Sequence, residues 1–82
     1  MYEKGEKVQM KDADLYLQAG IRIQRLRKNY HLTRNEMSEL VGISSKFIYE
    51  IELGKKGFSA SVLYKIADAF GVNCDYIMTG KE

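Results

Sequence analysis

The stretch Leu32–Gly54, LTRNEMSELVGISSKFIYEIELG, reads as two short helices joined by a tight turn, and the rest of the chain is arranged around it. Thr33 followed three residues on by Glu36 is a capping box, in which hydroxyl and carboxylate each satisfy a backbone N–H orphaned at a helix start. Leu32 and Met37 occupy the staple positions around that cap, so a helix begins at Thr33. Past Leu40 the pattern breaks at Gly42, which tolerates the left-handed conformation that ends helices. Ser44 then caps a second helix with Ile43 and Ile48 as its staple, and Gly54 ends it at about Leu53.

Working outward, the same grammar recurs. Ser59 caps a fourth helix with Phe58 and Leu63 around it, and Gly71 stops it; Asn73 caps a short fifth between Val72 and Ile77. Before the central stretch, Leu15, Ala19, Ile23, Leu26 and Tyr30 recur at helical steps, so a first helix runs from a cap at Asp12 to about Asn29. Gly20 weakens that helix by about 1 kcal/mol against alanine. A second start therefore stays open, nearer Gly20 after an irregular lead-in. The expected core is Ile23, Leu26, Leu32, Met37, Leu40, Val41, Ile43, Ile48, Ile51, Leu63, Ile66, Ala67, Phe70 and Ile77. No proline and no hairpin dipeptide interrupts the pattern, and the fold class is all-α with five helices.

The 82 residues make one domain, expected over 12–80, with residues 1–11 a flexible N-terminal segment of alternating charges. A single cysteine, Cys74, excludes an internal disulfide and suits a small apolar role at a helix start. The absence of a membrane-length apolar run or a signal-peptide core points to the cytoplasm. His31 is the only histidine and has no second group at catalytic or metal-ligand spacing, while the glycine-lysine loop at 54–57 lacks the rest of a P-loop. An enzyme, a metal, a cofactor and a small-molecule ligand are therefore not expected.

Net charge is only +2, but residues 22–56 hold eight basic against four acidic groups, a local +4, while the flanks are each −1. The excess sits in and around the two-helix unit, as a nucleic-acid backbone footprint would.

The segments IRIQRLR (21–27), LTRNEMSELVGISSKFIYEIELGKK (32–56) and VLYKIADAFGVNCDYIM (62–78) resemble the lambda-repressor-like helix-turn-helix family, the Cro and xenobiotic-response-element class, in order and spacing. Two departures are the family's usual proline before helix four, here Gly57-Phe58, and a frequent alanine in helix two, here Ser38. The resemblance implies a compact five-helix DNA-binding domain whose third helix lies in the major groove, and a structural ion pair between Arg27 and Glu52. Breaking such a pair costs about 3–5 kcal/mol if it is buried.

On that reading Ser45, Lys46, Tyr49 and Glu50 face base edges: Lys46 donates to guanine, Glu50 accepts from cytosine or else orients Lys46, and Ser45 serves either way. Thr33, Arg34 and Ser44 at the two helix starts, with Lys55, Lys56, Gly57 and Phe58 beyond, contact phosphate. The expected partner is double-stranded DNA. A homodimer would use helix five (Tyr76, Met78, Thr79) with part of helix one, a monomer being the alternative. The function implied is a transcriptional regulator, by preference a repressor, from a phage, restriction–modification or antitoxin setting. A protein-interaction adaptor on the same fold is the competing class, and Phe47 is the residue that leans toward it.

Overall fold

The computed structural model describes residues 11–81. Among them are five helices and no strand: α1 (Asp12–Asn29), α2 (Arg34–Val41), α3 (Ser45–Glu52), α4 (Ala60–Phe70) and α5 (Cys74–Thr79). The N-terminal segment expected to be flexible lies outside the described residues, save Lys11. Helix α1 packs on α3 and α5, α2 on α3 and α4, and α4 on α5.

All four capped starts form. Thr33, Ser44, Ser59 and Asn73 each accept from the backbone N–H three residues on, and Glu36 completes the box by accepting from the Thr33 N–H at 2.8 Å. Each such cap is worth about 1 kcal/mol. The start of α1 differs from expectation: Asp12 is the first helical residue rather than the cap, and Lys11 precedes it with no side-chain cap bond. Asp12 and Asp14 favour this end of the helix through its dipole instead.

Gly20 does not interrupt α1, which runs unbroken for 18 residues. The helix meets the end of α3 there, and a Cβ on Gly20 would overlap the Ile51 carbonyl oxygen. The glycine permits a close approach that its propensity cost alone does not reveal. At the other end of α1, His31 adopts φ 58°, the one left-handed residue other than glycine among those described. The His31 N–H bonds to the Lys28 carbonyl and the Leu32 N–H to that of Arg27, a Schellman closure with histidine where glycine is usual.

Every helix contributes at least one fully buried large side chain: Ile23, Met37, Ile48 and Ile51, Ile66 and Ile77. Each is worth about 1.5–3 kcal/mol in apolar burial. Three expected core residues depart from this. Leu40 is 55% exposed, and Leu32 and Leu63 are half-buried against the core's edge. On α2 the buried pair is Met37 and Val41, and at about 100° per residue Leu40 points some 60° to one side of Met37.

Candidate nucleic-acid interface

Helices α2 and α3 are joined through Gly42, φ 73°, whose N–H bonds back to the Ser38 carbonyl at 2.9 Å. Ser44 caps α3, Ile48 and Ile51 anchor it in the core, and Glu52 ends it, buried. The outward side then carries Lys46 and Tyr49 exposed, with Ser45 and Glu50 half-exposed. Phe47 is half-buried and packs against the core. The feature that leaned toward an adaptor surface is thus largely spent inside the domain.

Glu52 organises the unit. Arg27 meets it in a fork, Nε donating to Oε2 at 2.6 Å and Nη2 to Oε1 at 3.0 Å, while Nη1 donates to the Leu32 carbonyl at 2.8 Å. Gln24 Nε2 donates to Oε1 at 3.5 Å and Arg34 Nε at 3.1 Å. The expected Arg27–Glu52 pair is therefore present and buried, with planar bidentate geometry that suits a desolvated carboxylate. It ties α1, the loop before α2 and the end of α3 to one side chain.

The bond from Arg34 departs from expectation. Its guanidinium, assigned to phosphate from its place at a helix start, is bound through Nε to Glu52 and lies 5.0 Å from the centroid of Tyr49. Lys55 Nζ lies 5.9 Å from the same ring. Two cations thus hold the Tyr49 ring by cation–π attraction. The sequence carries no local signal for this bond, since Arg34 stands 18 residues before Glu52. Glu50 also departs from one expectation: it pairs with Lys56 at 3.8 Å across the loop, rather than orienting Lys46. That pair is exposed on the lysine side and adds little to stability.

The remaining candidates fall around this frame. The Thr33 and Ser44 hydroxyls accept from their helix amides and keep an O–H free to donate to an anion. Lys55, Lys56 and Gly57 are exposed on the loop after α3, and Phe58 is half-buried below them. Cys74 is half-buried and free, as a small apolar residue would be. Among the described residues no cluster of histidine, cysteine and carboxylate could hold a metal, and no helix is long and apolar enough to cross a membrane.

A helix-turn-helix domain model matches residues 20–82. The chain belongs to the helix-turn-helix domain family. Two solved structures share the architecture of this helix-turn-helix domain. The restriction-modification controller protein C.AhdI from Aeromonas hydrophila superposes with a TM-score of 0.71 at 21% identity, covering 76% of this chain and 94% of that one. An HTH_3 family transcriptional regulator from Vibrio cholerae superposes at 0.78 with 22% identity, over 87% of this chain and 40% of its own. At these identities the likeness is one of fold. No curated protein matches the sequence. Membership in this family sets the domain apart from enzymes.

Proposed function

We propose that this helix-turn-helix domain binds double-stranded DNA sequence-specifically and regulates transcription, with the start of α3 entering the major groove. The observation that carries this reading is the two-sidedness of α3. One side is fixed by Ile48, Ile51 and the Glu52 cluster, and the other presents Lys46 and Tyr49 to solvent with Ser45 and Glu50 beside them. A helix that reads base edges must be rigidly held and polar outward, and the major groove admits one such helix. Lys46 suits guanine O6 and N7, and Glu50, where Lys56 does not hold it, suits cytosine N4. Thr33, Ser44, Lys55, Lys56 and the Gly57–Phe58 amides fit the phosphates on either side, and Arg34 has its two Nη groups left to do the same.

Repression is the simplest regulatory outcome, because a domain lying on a promoter blocks polymerase without further machinery. The two structural neighbours, a restriction-modification controller and a transcriptional regulator, agree with a regulatory role. A cytoplasmic setting follows from that role.

The test is a titration against random-sequence duplex at 50 and 200 mM salt. Neutralising six or more phosphates makes affinity fall by about 10³-fold or more across that range. Absence of binding at 50 mM would reject the DNA reading.

A further inference from the structure

The loop from Gly54 to Ser59 carries two lysines, two glycines and no proline, so its own sequence does little to fix its shape. The first two turns of α1, which lie before the residues matched to the family, fix it from outside. The ring of Tyr16 meets that of Phe58 edge-on, centroids 5.0 Å apart at 73°, and its hydroxyl donates to the Phe58 carbonyl at 3.5 Å. The same ring fills the space beside Gly57: a Cβ there would lie 2.9–3.2 Å from three of its atoms. Leu17 crowds Gly54 likewise, at a φ of +73°. From the other side Lys55 approaches the Tyr49 ring and Lys56 approaches Glu50. The loop is gripped between the start of α1 and the exposed side of α3.

We propose that Tyr16 is a positioning residue for phosphate binding: through Phe58 and Gly57 it holds the loop so that Lys55, Lys56 and the adjoining amides face the DNA backbone together. This rests on the reading of the α2–α3 unit as a DNA interface. A loop released from Tyr16 must be ordered at the moment of binding, and ordering even one residue lowers affinity by about tenfold. A lysine that no longer meets its phosphate also flattens the salt dependence, by about 0.9 in slope for each phosphate left unneutralised.

The experiment measures affinity for random duplex against salt for the wild type, Tyr16→Phe, Tyr16→Ala and Gly57→Ala, each checked by circular dichroism for folding at the binding temperature. Tyr16→Phe keeps the ring and is expected within about twofold of wild type in affinity, a small loss for one long neutral hydrogen bond. Tyr16→Ala is expected to lose about tenfold and one to two units of salt slope. Gly57→Ala, which pushes the ring off the loop, is expected to do the same, and it carries the test if Tyr16→Ala does not fold. Lys55→Ala with Lys56→Ala should flatten the slope in the wild type and add little in Tyr16→Ala.

Wild-type slope in both Tyr16→Ala and Gly57→Ala, or a full further loss from the lysine substitutions in Tyr16→Ala, would overturn the role of Tyr16 while leaving DNA binding intact. Failure of the wild type to bind at all would remove the DNA reading and the proposal with it.

Discussion

Glu52 brings one negative charge to two guanidiniums, so its cluster keeps a net positive charge at the edge that Arg34 shares with solvent. The two arginines are unequal. Arg27 is 8% exposed at its side chain and Arg34 36%, so the Arg27 pair is desolvated and the Arg34 pair is screened. Replacing Glu52 with alanine leaves the buried Arg27 guanidinium without a counter-charge, an arrangement that costs about 3–5 kcal/mol. Arg34→Ala removes a part-exposed partner and should cost about 1 kcal/mol or less. Urea midpoints at unchanged m-value measure both. Equal losses would mean that Arg34 belongs to the buried brace. The Arg27–Glu52 pair is legible through the resemblance, and its need for a partner through the apolar neighbours of Glu52. The second guanidinium is not, because Arg34 sits where a helix start favours anions, and only the packing of α2 on α3 brings it to a carboxylate 18 residues away.

At the scale of the helix, what depends on neighbours within one turn is readable, save at the start of α1, where Asp12 is helical rather than the cap. The four caps and the glycine stops at Gly42, Gly54 and Gly71 form where their side chains and φ preferences require. What depends on another helix is not: Gly20 looks like a flaw in α1 until the Ile51 carbonyl is beside it, and Leu40 reads as core until the position of α4 is known. His31 lies between these cases. Its left-handed φ is set by the short connection between α1 and α2; histidine enters that region more readily than most side chains, but the region still costs an L-residue about 1–2 kcal/mol. Glycine would remove that cost but add about 0.4–1 kcal/mol of unfolded-state freedom. His31→Gly should therefore stabilise the domain by about 0.5–1 kcal/mol, a rise in Tm of about 2–8 °C. Calorimetry on the two proteins decides it, and an unchanged or lower Tm would mean that packing of the His31 side chain outweighs the strain.

For the whole molecule, small size sets a limit on affinity for DNA. A single small DNA-binding module buries about 600–1,000 Å² of its surface, which leaves specificity to be raised by a second copy on a second half-site. The face proposed for that second copy lies where α5 meets α1. Tyr76 lines a hollow of about 420 Å³ with Leu26, Gly71, Val72 and Asn73, and Tyr30 nearby is 56% exposed. The candidate dimer residues are partly spent elsewhere: Met78 packs on the core and the Thr79 hydroxyl donates to the Asp75 carbonyl at 2.8 Å. A dimer on this face would therefore be weak free in solution and completed on DNA. With two-fold symmetry its reading helices meet half-sites about 34–36 Å apart, one helical turn. On an operator selected from a random library, two copies should bind cooperatively. Inserting about five base pairs between half-sites turns one of them to the opposite side of the duplex, so cooperativity should vanish while each half-site keeps its own affinity. Gel-shift titrations of the two duplexes separate the cases. Independent binding at the natural spacing would establish a monomeric reader, and the groove contacts assigned to α3 would stand unchanged.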